Sequence, residues 1–249
     1  MRTLLALASA ACLLVAANAR ADEQADLQKI IDKAIKAQGA DKVDKTKKAN
    51  TFKIKGVVHV MGMDLDFTGD FEFQEPDKIR TVQELTVMGN EIKVVTVVNG
   101  DKGWSNIMGN TMELGKDALE SAKEDFYAGK VTDLTALKEK GYKLGTLAGK
   151  KIDDRETVGI SVTHEGHKDI FLFFDKETGM LLAAERQAKD PMGGEEFKQE
   201  TRFGNYKEVD GVKRPFKINI LRNGEKFVEA EVTDYKVLDK LDDSLFAKP

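Results

Sequence analysis

From Met61 to Phe73 the apolar residues Met61, Met63, Leu65, Phe67, Phe71 and Phe73 all fall on odd positions, with Asp64, Asp66, Asp70 and Glu72 between them. A period of two sends alternate side chains to opposite sides of a pleated strand, so this stretch is extended, with one buried and one wet face. The chain is expected to turn near Gly62. Similar punctuation recurs at 99-NGDKG-103, 164-HEGH-167, 222-RNGE-225 and Lys176-Glu177-Thr178-Gly179. Each reads as a hairpin turn in which glycine supplies a positive φ. Period-two patterning begins at Thr51, and further strands are expected near 78–88, 91–98, 102–108, 142–148, 156–164, 168–175, 179–188, 196–208, 213–222 and 226–238. The expectation is about eleven strands in one large, curved antiparallel sheet.

Two segments break the period. Leu27, Ile30, Ile31, Ala34 and Ile35 recur every three to four residues, which marks one apolar stripe of a helix over 24–38, with Gly39 placed to end it. Between Lys116 and Lys140 helical spacing returns, with Ala118, Leu119, Ala122 and Phe126 on one stripe and a second short turn at 133–139. Helices inserted among hairpins cover one face of the sheet, here the concave one, which makes the class α+β and mainly β.

Two strands are apolar on both faces. They are Ile92, Val94, Val95, Val97 and Val98, and the run Ile170 to Phe174. Either both sides are covered, or one borders an apolar cavity. Thirteen phenylalanines and eight methionines stand against four tyrosines and one tryptophan. Phenylalanine and methionine bring apolar surface without hydrogen-bonding obligations. The expected wall of such a cavity comprises Met63, Leu65, Phe67, Phe71 and Phe73 from the first register, Phe171 and Phe173 from the second, and Trp104 and Phe126.

The first 21 residues read as an export signal. Arg2 supplies the positive start, Leu4 to Ala17 the short apolar core, and Ala19-Arg20-Ala21 the cleavage site. That core is too short for a membrane span. A lipidated Cys12 is the rival reading, but Ser9-Ala10-Ala11 is a poor lipidation context, and Leu13-Leu14-Val15 continues the apolar run past the cysteine. Cleavage before Asp22 removes Arg2 and Arg20 from 39 basic residues, leaving 37 against 43 acidic ones, a net charge of −6. It also removes the only cysteine. A thiol-free exported chain relies on its core, which fits a periplasmic location and one domain over 22–249. Acidic balance without a basic cluster argues against nucleic acid as a partner.

Side chains for chemistry are sparse. His164-Glu165-Gly166-His167 echoes a zinc-protease signature, but that signature needs histidines four apart on a helix, and here they are three apart around a turn. No metal is expected there. Asp153-Asp154, Glu195-Glu196 and Asp242-Asp243 sit in turn-like context, where solvated charge is the default. No serine has nucleophile-elbow surroundings, and Gly193-Gly194 opens no helix that would cradle a phosphate. No catalytic residue and no cofactor is expected.

Three segments resemble the LolA/LolB-like superfamily of periplasmic lipoprotein carriers. The stretch 69-GDFEFQEPDKIR-80 is similar to that family's strand, proline turn and arginine. The stretch 99-NGDKGWSN-106 is similar to its turn leading into a tryptophan. The C-terminal run 171-FLFFDKETGMLLAAE-185, 204-GNYKEVDGVKRPFKI-218 and 241-LDDSLFAKP-249 follows in order. The resemblance implies an incomplete β-barrel with helices as a lid over an apolar cavity for acyl chains. It implies a non-catalytic, monomeric carrier of a lipid-like ligand or lipoprotein, with transient contacts to envelope membrane proteins and a place in outer-membrane biogenesis. A scaffold or sensing module using the same fold for protein contacts is the alternative, and an enzyme is the third reading.

Overall fold

The structure, a computed structural model, describes residues 24–190 and 194–249. The export signal, Cys12 and the cleavage site lie outside the described residues, as does Gly193 of the glycine pair.

The strands run β1 (Ala49–Val60), β2 (Met63–Gln74), β3 (Lys78–Val87), β4 (Asn90–Asn99), β5 (Lys102–Ile107) and β6 (Asn110–Glu113) before the central helix. After it come β7 (Lys143–Leu147), β8 (Lys151–Ile152), β9 (Arg155–Thr163), β10 (Ile170–Asp175), β11 (Leu181–Lys189), β12 (Glu196–Val209), β13 (Val212–Arg222) and β14 (Glu225–Leu238). Helix α1 spans 24–38 and helix α2 spans Lys116–Thr132. Short 3-10 turns cover Ala40–Lys42, Thr135–Lys138 and Asp243–Phe246.

The strand order is β6-β5-β4-β3-β2-β1-β14-β13-β12-β11-β10-β9-β7, with β8 paired to β9. Two antiparallel meanders therefore meet at one long-range seam, β1 against β14, where Ala49 pairs with Leu238 and Val58 with Val228. The sheet is not closed, since β6 and β7 remain edges, and the result is an incomplete barrel. Among the described residues, fourteen strands replace the expected eleven or so. Two of the additions, β6 and β8, are four and two residues long, too short to show a period.

The sheet bends at the seam. Gly56 sits where a Cβ would approach Glu229 O to 2.1 Å, so β14 crosses into the space a side chain would need. Only glycine allows that approach. The bend is towards the side that Phe52 and Ile54 share, the side that carries the helices.

Helix α1 buries the predicted stripe. Ile31, Ala34 and Ile35 join Tyr127 and Val131 of α2, and both helices pack on Ile160, Val162, Ile170, Leu172, Phe174 and Leu181 of the second meander. Gly39 ends α1 in the left-handed region at φ 73°, as its position predicted. A smaller cluster of Ile152, Phe173, Leu182 and Ala183, with Phe171 against it, occupies the other face of the same strands. That explains the doubly apolar run 170–174. One face meets the helices and the other meets the β8 hairpin.

Candidate functional site

The site is built from strand register. On β2 the odd positions point to the helix-bearing face, as Phe73 shows by stacking on Phe126 of α2 with ring centroids 5.5 Å apart. Phe52 of β1 pairs with Phe71 of β2 and with Tyr235 of β14. The three rings form a parallel stack, at 4.9 Å between Phe52 and Phe71 and 5.8 Å between Phe52 and Tyr235. Phe73 lies 5.7 Å from Phe52, so an aromatic row runs from the seam to the helix. All five rings remain half-buried.

Beyond the row the same face is aliphatic. Val58 pairs with Leu65 and with Val228, Val228 pairs with Ile220, and Leu85 pairs with Phe67 and Ile92. Alternation places these side chains together on the helix-bearing side. Phe67 is buried, but Val58, Leu65, Leu85, Ile92, Ile220 and Val228 keep part of their surface accessible. The strongly buried core lies instead under α1 and α2 on the second meander. The half-barrel thus has a filled half and an apolar, incompletely covered half.

Helix α2 divides the two and is held by ionic grips as well as packing. Arg186 of β11 hydrogen-bonds the Asp125 carboxylate, and Arg214 of β13 hydrogen-bonds Asp133 just past the helix end. Both arginines are almost fully buried, whereas Asp125 and Asp133 reach solvent. Arg214 also lies 5.6 Å from the Tyr235 ring, so the second grip sits beside the aromatic row. Burial pushes the Tyr235 phenol up from its ordinary value, so it stays neutral at physiological pH. This surface offers apolar contact and the neutral Tyr235 hydroxyl.

The structure gathers Met63, Leu65, Phe67, Phe71, Phe73 and Phe126 on this face, Met63 at its exposed rim. It does not bring the other three there. Phe171 and Phe173 lie on the opposite face, where Lys150 reaches over the Phe173 ring at 4.6 Å. Trp104 shares its face with Val97 and Arg80, opposite Gly103, which faces Leu114 and Leu119. Phe52 and Tyr235 were missed. Phe52, Ile54, Val58 and Val60 share even positions in β1, a signal present in the sequence, whereas the Tyr235 contact depends on the seam.

The two histidines of the zinc-like motif lie in an aromatic cluster. The His167 ring stacks on Tyr127 at 3.8 Å and its Nδ1 contacts Glu124 at 2.7 Å. Among the described residues no group of His, Cys, Asp and Glu side chains could hold a metal ion.

The sequence matches no known family model and no curated protein. Solved structures do match. An outer membrane lipoprotein-sorting protein domain from Vibrio parahaemolyticus superposes with a TM-score of 0.53 at 14% identity, over 89% of this chain and 97% of that one. A DUF1329 family protein from Desulfovibrio piger gives 0.55 at 12% identity, with the same coverages. A LolA superfamily protein from Nitrosomonas europaea gives 0.51 at 15%, again over 89% and 97%. The chain shares the fold of these three proteins. At these identities the likeness is one of architecture, and it agrees with the incomplete barrel that the sequence resemblance implies. Among the described residues no helix is long and apolar enough to cross a membrane.

Proposed function

We propose that this protein is a non-catalytic carrier that holds a lipid-like ligand, of the acyl-chain kind found on lipoproteins, against the helix-bearing face of its half-barrel. One observation carries the reading. The aliphatic patch around Val58, Leu65, Leu85 and Val228 is contiguous, shares a face with the aromatic row, and remains only half-covered. Apolar surface left in this state by the fold is what an acyl chain would bury, at about 25 cal/mol per Å² before ordering costs are subtracted. The lipoprotein-sorting neighbour and the LolA superfamily neighbour lend support, because their fold is shared over most of both chains.

The carrier acts in the periplasm as a monomer of one domain, residues 22–249, after its leader is removed at Ala21. Envelope membrane proteins are its transient partners, loading or unloading the ligand. Release requires α2 to shift, since its Phe126 closes one end of the aromatic row. Intact-mass measurement on exported protein tests the first statement. A chain beginning at Asp22 is expected, and a diacylated Cys12 would contradict it. Binding is tested by thermal unfolding with a long-chain acyl ligand. At a hundredfold excess over its dissociation constant, stability should rise by about 2.7 kcal/mol.

A further inference from the structure

The aliphatic wall of the helix-bearing face ends in a cation. On β13, Ile220 pairs with Thr201 of β12 and Val228 of β14. Two residues further along comes Arg222, opposite Gln199, which is itself opposite Arg186 of β11. Alternation puts Ile220 and Arg222 on one side of the sheet. The hydrogen bond from Arg186 to Asp125 of α2 identifies that side as the one carrying the helices. The step from Ile220 to Arg222 is about 7 Å. In the other direction the apolar row runs from Ile220 through Val228, Val58 and Leu65 towards Leu85, four strand spacings or about 19 Å.

An irregularity in β14 holds the cation in place. Ile220 pairs with Val228 and Leu221 with Lys226, so Phe227 is an extra residue. In an unbroken strand Phe227 would share the outer side with Glu229. The bulge turns its ring to Arg222 instead. The guanidinium carbon lies 3.4 Å from the Phe227 ring centroid and 4.5 Å from that of Phe197. Rings at these distances orient the guanidinium as well as attract it.

What this guanidinium lacks is an acceptor. Among the described residues its Nε is buried without a hydrogen-bond partner. Its ion pair with Asp190 spans 3.7 Å from Nη1 to Oδ2, too long for a hydrogen bond. Asp125 is taken up by Arg186, and Glu225, opposite Arg222 on β14, is exposed and makes no ion pair with it. Two arginines and two aspartates balance in number, so the shortfall is in hydrogen bonds, not in charge. Burial lowers the Arg222 pKa by more than Asp190 and Asp125 raise it, as expected of a cation whose lost hydration its neighbours do not make good. The side chain is still 33% exposed, so a ligand can reach it.

We propose that Arg222 binds the anionic end of an amphiphile whose hydrocarbon chain lies along the aliphatic row. The guanidinium fork matches the paired oxygens of a carboxylate or a phosphate, and the shared chemistry is an oxyanion at the end of an acyl chain. The inference rests on the carrier reading and adds the headgroup that reading leaves open.

The test measures binding to the isolated protein by calorimetry. Laurate, dodecyl phosphate and dodecanol share one chain and differ in the head, and inorganic phosphate is a head without a chain. At least one of the two anionic amphiphiles should bind about tenfold or more tighter than dodecanol, and the tighter of them tells carboxylate from phosphate. Arg222→Gln should narrow that preference to within about twofold by weakening the anionic probes. Arg222→Lys keeps a charge for folding but loses the fork, and should weaken the preferred probe at least about threefold. Lys226→Gln removes a nearby cation that pairs with Glu229, and should leave the preference within about twofold. Melting curves of each variant without ligand separate binding from folding. Equal binding of dodecanol and both anionic probes by the wild type, or an Arg222→Gln loss shared equally by all three, would overturn the role of Arg222 and leave the carrier reading standing. Displacement of laurate by inorganic phosphate would overturn it in favour of a free-anion site. Failure of every chain-bearing probe to bind would overturn both.

Discussion

Phe126 of α2 lies on Phe73 of β2, ring centroids 5.5 Å apart and planes inclined by 22°. This single contact joins the covering helix to the aromatic row, and therefore couples whatever occupies the apolar face to the position of the helix.

The contact should be measurable on its own. Both rings are half-buried, so Phe126→Ala should cost about 2 kcal/mol, less than the 3–5 expected of a fully buried phenylalanine. A double-mutant cycle with Phe73→Ala should return a coupling of about 0.5–1.5 kcal/mol by urea unfolding. Strict additivity would mean that the helix is held without the stack.

The Arg214–Asp133 pair should be the firmer of the helix grips. Asp133→Asn keeps the shape but leaves a guanidinium that is only 9% exposed without its counter-charge. The expected loss is about 1–3 kcal/mol, tempered because the Asp133 carboxylate itself reaches solvent. Arg214→Met, which removes the buried charge altogether, should cost less than Asp133→Asn when both are compared by urea unfolding.

His59 should give the fold a mild dependence on alkaline pH. Its Nδ1 contacts the Asp64 carboxylate at 2.7 Å and its Nε2 contacts Glu229 at 3.1 Å, with Lys226 on the far side of Glu229. The hydrogen bond to Asp64 raises its pKa above the usual 6.5 by more than burial lowers it, and the bond to Glu229 adds to the rise. A raised folded value means the stabilisation is complete below 6.5 and disappears as pH climbs through the folded value. Melting temperature should fall as pH rises above about 6.5, and His59→Gln should flatten that slope. An unchanged slope in the variant would place the titration elsewhere.

Acid should act on the opposite face. Burial alone would raise the Glu200 carboxyl, but hydrogen bonds from Lys150 and Arg202 outweigh it and hold the pKa at about 2, below the ordinary 4.5. A depressed carboxylate stabilises fully above 4.5 and loses that contribution as pH falls towards about 2. Lys150→Met removes one of the two donors, so the acid-unfolding midpoint should move to higher pH. A midpoint that stays put would show that Glu200 does not report on folding.

Much of this architecture was legible in the sequence, for identifiable reasons. The stripe from Leu27 to Ile35 has a period that only a helix buries, and the odd register of β2 has one that only a strand buries. Those periods located α1, α2 and the face carrying Phe71 and Phe73. The run Ile170–Phe174 was different in kind. A strand apolar on both sides has no period to say which residues face which way, so Phe171 and Phe173 were grouped with the rings across the sheet. Trp104, alone in a six-residue strand, gave no pattern either. The grouping of Phe52 with Tyr235 depends on β1 meeting β14 nearly two hundred residues later, and no local signal encodes that register.

The central claim is that the half-covered apolar face holds an acyl chain, and native mass spectrometry of the exported protein tests it most directly. The account predicts a lipid-sized mass increment that leaves on collisional activation. In Val58→Asp and Leu65→Asp, which place a carboxylate on that wall while the helix grips stay intact, the increment should be absent. Wild-type protein that travels at its bare polypeptide mass, with a melting curve that no long-chain acyl ligand shifts, would contradict it.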